Sequence, residues 1–446
     1  METAKQETTD NSRKLGFGLL VALGVGSMIG TGIFDSPRNL ISTTNPQAAI
    51  IAWIIGGLGV MFLALTFQML NNARPDLKGG IFTYAKEGFG ELTGDSTNPL
   101  LTFLLASVFL WILHFVQTAG VKKASVANAV ATVAKVVPLI LVVIVGIAVF
   151  NSTIFNVPDW TSKLASTGDA ATTFDQVSGA MSTILWCFIG VEAATVLSTR
   201  AKSQKIVGGA TIVSTLITLA LYMLVSLISM GVVDAKTLAD SNIPLADVFA
   251  KTVVGGAGGV IVEVGIIVSM IGGLISWIML AAEILSVAAK GATMPAWFQH
   301  ENQNGCPTHA LLVTDILTQL FLFSILLPSL KAAYDTMFSL STSCIVIPYL
   351  FSAMYAIKVC AQDKRSAKDM IISILACVYS VYVLYAIGIE YLGLTLILYA
   401  IGIFVFVWSK KERKQQIAKS ETVGMTVIAV LAVLMIVLLA TGVISL

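Results

Sequence analysis

The sequence predicts an all-α protein that crosses a membrane about twelve times, and three observations carry that prediction. Of 446 residues, 56% are hydrophobic and only 12% charged, with a mean hydropathy of +0.87; a soluble domain of this length carries far more charge. The apolar residues fall into segments of roughly 20 residues, the length that crosses the hydrocarbon of a bilayer as a helix. Lys and Arg gather in the short connections between those segments. The net charge of +2 implies no polyanionic partner, and no basic tract of the kind that binds nucleic acid is present.

The polar start, residues 1–14, runs directly into a long apolar segment with no small-residue cleavage site behind a short apolar core. It reads as a cytoplasmic tail and not as a removed leader. Apolar segments follow at 15–36, 47–71, 99–121, 124–150, 177–199, 207–233, 258–289, 308–329, 333–358, 368–389, 391–409 and 422–445. No soluble domain is inserted between them. The five cysteines, Cys187, Cys306, Cys344, Cys360 and Cys377, lie in or near these segments without CxxC spacing. They read as small core residues rather than disulfide or zinc partners.

Counting Lys and Arg in short loops orients the chain in the membrane. Arg13 and Lys14 place the N-terminus in the cytoplasm, and two segments later Arg74, Lys78 and Lys86 mark a cytoplasmic loop. One further segment leads to Lys122 and Lys123, which also read as cytoplasmic. From there the alternation is regular, with Arg200 to Lys205, Lys290 to His300, Lys358 to Lys368 and Lys410 to Lys419 inside, and Asp234 to Asp247 outside. Either residues 79–98 cross despite their polarity, or the 99–121 segment does not span, or a helix expected by the rest of the chain is missing. The third explanation is the most economical, because every other loop keeps its sign.

Two segments carry interruptions. GVGSMIGTGIFDSPRNL (24–40) is an apolar helix broken by Gly30, Thr31 and Gly32, and CFIGVEAAT (187–195) has a second break in mid-span at Gly190. A single glycine pair is usually a packing surface. Paired breaks at corresponding places in two halves point instead to a transporter site at the bilayer midplane. The first break would offer N–H groups to a carboxylate, and the second would offer carbonyls and a half-helix dipole to an amine. Together they suit the α-carboxylate and α-amino group of an amino acid.

Charges inside a span are functional candidates by default. Lys135 and Glu192 have apolar residues on both sides, which favours a function. Glu263, Glu283 and Asp315 are balanced against plain polar contacts, and Glu263 and Asp315 against snorkelling near span ends. Trp186 and Trp277 sit in mid-span, where an aromatic wall against a ligand is a better reading than an interfacial belt. Ser339, Ser341, Thr342 and Ser343, ending in Pro348 and Tyr349, give a later helix a polar face for interhelical hydrogen bonds or gating. His114, His300 and His309 show no metal-ligand spacing, and no HExxH or serine–histidine pairing suggests an enzyme. No channel filter segment is visible. No cofactor is expected.

With GSMIGTGIFDSPRNL, LWCFIGVEA and LAAEILSVAAKGATMPAWF on the page, the chain resembles the amino acid–polyamine–organocation superfamily, and within it the basic amino acid/polyamine antiporters of the arginine/ornithine type. The likeness covers nearly the whole chain from about residue 13. It implies a LeuT-type inverted five-plus-five core: a first repeat over 15–150, a second over 177–358 and additional C-terminal helices over 368–446. It further implies that Ser27, Met28, Gly30, Thr31 and Gly32 line the substrate carboxylate site. Trp186, Cys187, Ile189 and Gly190 would form the opposite wall, with Trp186 as a gate. Trp277 and Ser341 would complete the pocket, Glu192 would belong to the coupling path, and Tyr349 would lie near the inner gate. Lys135 matches a position where sodium-independent relatives place an ammonium in the space that sodium fills elsewhere, which favours exchange or proton coupling. The departure is a third helix expected after GGIFTYAKEGFGELTG, where Gly94 instead runs through Asp95–Asn98 into the fourth.

The expected function is therefore a multi-pass antiporter of the cell membrane that exchanges arginine for ornithine by alternating access, with amino acids and the lipid bilayer as its partners. A lysine, histidine or other amino acid/amine exchanger stands beside it. So does a deletion variant that has become a non-transporting membrane subunit. Oligomeric state stays open, a homo-oligomer being compatible with either.

Overall fold

A computed structural model describes residues 14–30, 32–73, 99–119, 121–322 and 330–441. The helices are α1 (Phe17–Met28), α2 (Gly32–Ile41), α3 (Pro46–Ala73), α4 (Pro99–Thr118), α5 (Val121–Ala148), α6 (Thr173–Trp186), α7 (Gln204–Val232), α8 (Ala257–Lys290), α9 (Thr308–Leu322), α10 (Leu330–Gln362), α11 (Ala367–Ile387), α12 (Ile389–Glu412) and α13 (Lys419–Ala440). Short helical turns cover Ser152–Phe155, Ala193–Val196, Leu197–Arg200, Ala235–Asp240, Pro244–Ala250 and Ala296–Gln299. Among the described residues the only β pairings are the isolated bridges Leu15–Ala201 and Lys163–Ala170.

The predicted apolar segments are mainly helical over their described residues, with breaks at 29–30 and 187–192. Among the described residues eight helices are long and apolar enough to cross a membrane, and nine spans result if the pair α1–α2, bent by 43°, counts as one. The remaining segments are α4, α9, described for 15 residues, and α6, which its break ends after 14. Residues 79–98, where the charge alternation places the first explanation and the missing helix, lie outside the described residues, while the 99–121 segment is described as α4.

Membrane burial inverts the usual helix pattern, because lipid is as apolar as a side-chain core and small or polar residues supply the contacts between helices. α5 shows this directly. Val130, Val133 and Val137 are 60–68% exposed, while Asn128, Thr132 and Lys135 on the other face are at most 5% exposed. The apolar side faces lipid and the polar side faces the bundle.

Ends are fixed by capping. Thr172 and Asp175 form a capping box at the start of α6, and the Ser203 and Ser366 hydroxyls accept from Lys205 N and Asp369 N at the starts of α7 and α11. In the packed interior α3 lies along α7, α5 lies along α8, and the interrupted α1 is set among α5, α7 and α8. The long α10 and α11 pack on α3, and α12 with α13 forms an outer pair. The first interruption is thus surrounded by helices on several sides, which is what positions the site.

Candidate functional site

At the end of α1 the chain leaves the helix after Met28, so the carbonyls of this turn lose their i+4 donors. Buried carbonyls must find other partners. Here they find side chains from three helices. Lys135 Nζ of α5 donates to Gly26 O at 2.8 Å and to Ile29 O. Trp277 Nε1 of α8 donates to Ser27 O at 3.1 Å, Tyr222 Oη of α7 to Met28 O at 3.1 Å, and Ser269 Oγ of α8 to Gly30 O at 2.9 Å. Five consecutive carbonyls, from Gly26 to Gly30, are occupied from outside. What the break retains for a solute is donor capacity, since α2 begins at Gly32 and its first-turn N–H groups have no intrahelical acceptor.

The second interruption follows Trp186. Residues 187–192 form successive tight turns, Phe188 N donating to Leu185 O and Val191 N to Phe188 O. Gly190 has φ +106°, and a side chain there would meet Ser27 Oγ at 2.8 Å and the Ser27 backbone at 3.0 Å. Only glycine fits. The Ser27 hydroxyl donates to Gly190 O at 3.0 Å, so the two breaks are joined directly.

Glu192 is buried and its Oε2 accepts from Gly190 N at 3.0 Å and from Tyr349 Oη at 2.7 Å. Tyr349 is fully buried on α10, its ring 5.6 Å from that of Phe67. Trp186 stands against the start of α2, with Nε1 3.0 Å from the place a Gly32 side chain would take.

Of the residues expected from the sequence, the structure brings Ser27, Met28, Gly30, Gly32, Lys135, Trp186, Gly190, Glu192, Trp277 and Tyr349 into one connected region. Cys187 is buried beside Tyr222. Ile189 is half-buried and packs against the apolar residues around both breaks. Ser341 is buried on α10, two turns before Tyr349. Thr31 lies outside the described residues.

Sequence reasoning missed Tyr222 and Ser269. Ser269, Gly273 and Trp277 are four residues apart, one stripe on α8, and Gly30 Cα comes within 4.0 Å of a side chain placed at Gly273. That stripe was the available signal; Tyr222 offered none beyond a hydroxyl in an apolar span.

Asp315 and Glu283 have partners away from the break. Asp315 does not snorkel: it is fully buried in α9, with Oδ2 2.6 Å from His114 Nδ1 of α4. Glu283 receives Arg200 on both oxygens, at 2.9 and 3.1 Å, and Thr199 Oγ1 at 3.2 Å. Glu263 is exposed near the start of α8. His300 and His309 stack with centroids 4.2 Å apart, and among the described residues no group is spaced to hold a metal ion.

The amino acid permease family model matches residues 15–97 and 93–392. The chain belongs to the amino acid permease family. It is accordingly a multi-pass membrane transporter of amino acids and not an enzyme. Among the similar permeases are the arginine/ornithine antiporter of Pseudomonas aeruginosa, 36% identical over 452 aligned positions that cover 92% of this chain and 93% of that one. The arginine/agmatine antiporter of Chlamydia pneumoniae is 33% identical over 482 positions, 97% and 98% of the two chains. The arginine/ornithine antiporter of Latilactobacillus sakei is 32% identical over 469 positions, again 97% and 98%. These alignments are longer than the 446-residue chain, so the relatives hold residues that have no counterpart in this permease. The family match itself divides at residues 93–97, where the charge count places the missing helix.

Proposed function

We propose that the chain is an antiporter of the cell membrane, with a cytoplasmic N-terminus, that exchanges arginine for ornithine at the region where the two breaks meet. The observation that carries this reading is the occupation of every carbonyl from Gly26 to Gly30 by a side-chain donor. A break arranged in this way favours an anion and disfavours a metal cation, and the α-carboxylate of an amino acid is the anion that its relatives' substrates bring. Ser27, Met28, Gly30, Thr31 and Gly32 form the carboxylate wall in this reading. Trp186, Cys187, Ile189, Gly190, Trp277 and Ser341 enclose the rest of the substrate, with the indole faces available to a cationic side chain. In this reading the Lys135 side chain takes the place of a coupling cation, and the Glu192–Tyr349 pair responds to the substrate through Gly190.

Proteoliposomes loaded with ornithine test it: labelled arginine enters in exchange, and the Trp277→Ala variant loses that uptake. Lysine or histidine as the better counter-substrate would move the assignment to a neighbouring exchanger.

A second reading has its own observation, the division of the family match at 93–97. A chain without its third helix, and without exchange on any of these substrates, would be a membrane subunit. Gain of exchange on inserting a family third helix between Gly94 and Asp95 separates a damaged exchanger from that subunit.

A further inference from the structure

Away from the breaks, α3 and the start of α11 border a half-open cavity of about 180 Å³, well above the roughly 10–15 Å³ that one water needs. It lies where α11 follows the Lys358–Lys368 loop, on the side that the loop charges assign to the cytoplasm. Both helices are long enough to span, so this end of the pair sits at the level of the lipid headgroups.

The lining is divided by chemistry. Arg365 and Lys368 are exposed, and among the described residues neither is paired with a carboxylate. Asp369 is half-buried beside them, its backbone N–H donating to the Ser366 hydroxyl that caps α11 at 3.2 Å. Its carboxylate likewise has no cationic partner among the described residues. Leu65, Met69 and Ile372 form the apolar wall. Three charges around one cavity, two positive and one negative, all without an ion pair among the described residues, match a ligand that carries both signs. Basic pockets between spanning helices on the cytoplasmic side take phospholipid headgroups, and the first turn of α11 adds its dipole to the two cations.

We propose that this cavity binds the headgroup of a zwitterionic aminophospholipid, with the phosphate on Arg365 and Lys368, the ammonium on Asp369, and the first acyl carbons along Leu65, Met69 and Ile372. A quaternary ammonium headgroup offers Asp369 no N–H to donate. An anionic glycerol headgroup leaves Asp369 facing negative charge.

Native mass spectrometry of the full chain, released from vesicles of equal parts phosphatidylethanolamine, phosphatidylcholine and phosphatidylglycerol, tests the assignment. The expected result is one retained phosphatidylethanolamine, favoured about fivefold or more over either other lipid. The R365A/K368A double variant loses it, and Asp369→Asn shifts retention toward phosphatidylglycerol. Ile372→Trp, which fills the apolar wall without touching a charge, also releases the lipid. Unchanged retention in the double variant, no preference among the three lipids, or an Asp369→Asn variant that still prefers phosphatidylethanolamine would overturn the proposal. Thermal melts of each variant in detergent establish that folded protein is being compared.

Discussion

Lys135 of α5 donates its ammonium to two carbonyls of the broken first helix, Gly26 and Ile29, while remaining fully buried. Among the described residues no carboxylate lies within ion-pair distance of it. Its Nζ is held by backbone carbonyl dipoles of the break alone, in the middle of the bundle.

Lys135→Met leaves both carbonyls buried without donors, at about 1–3 kcal/mol for each group. The variant should melt at lower temperature than the parent and lose exchange by about tenfold or more. The parent should exchange equally well in sodium and in choline buffers. A strict sodium requirement in the parent would contradict the role given to Lys135.

Ser27 and Gly190 allow the contact between the breaks to be dissected. Ser27→Ala removes one hydrogen bond, an effect of about 1 kcal/mol. Gly190→Ala places a side chain at φ +106° and within 2.8 Å of Ser27 Oγ, which adds about 1–2 kcal/mol of backbone strain to the overlap. Gly190→Ala should therefore be the more damaging change in both melting and counterflow, and combining it with Ser27→Ala should recover part of the loss. Equal effects from the two single variants would show that the breaks are not in contact.

Glu192 and Tyr349 share a 2.7 Å hydrogen bond to a carboxylate, of a kind that contributes about 1.5–3 kcal/mol. Residues coupled in this way give non-additive effects. Exchange rates of Glu192→Gln, Tyr349→Phe and the double variant should show the double no slower than the slower single. Strict additivity would separate the two residues functionally.

A network at the far end of the second broken segment gives a pH prediction. Arg200 bonds Glu283 and, at 2.7 Å, Glu301, which also receives Lys290. Burial works against ionisation of Glu301, but Lys290 and Arg200 outweigh it and hold the carboxyl below its ordinary value. A depressed carboxyl contributes stability that is present above the unfolded value, about 4.3 for glutamate, and is lost as pH falls through the folded one. Melting temperature should drop on acidification below about pH 4, and Glu301→Gln should flatten that part of the profile. The same segment is tied to the chain start by the backbone bond from Leu15 N to Arg200 O at 2.7 Å, so Arg200→Ala, which keeps that bond but removes the side-chain ties to Glu283 and Glu301, should loosen the segment and slow exchange.

Much of this arrangement was legible in the sequence. The apolar segments, both breaks, Lys135 and Glu192 all declare themselves through composition and through charge where lipid makes charge expensive. The partners of the break did not. Tyr222 and Ser269 act through single hydroxyls aimed at backbone, and a hydroxyl in a span has several local alternatives, including its own helix. Asp315 and Glu283 carried the same charge signal as Glu192, yet their partners, His114 and Arg200, lie 201 and 83 residues away in the chain. Only the fold shows that they are paired elsewhere.

The most direct test of the central claim is counterflow at the joined breaks. Purified protein in vesicles loaded with unlabelled ornithine should take up labelled arginine, should stop when ornithine is left out, and should fail in Trp277→Ala, which removes the donor to Ser27 O. Uptake of arginine that is indifferent to internal ornithine, or that persists in Trp277→Ala, would contradict an exchanger built on this site.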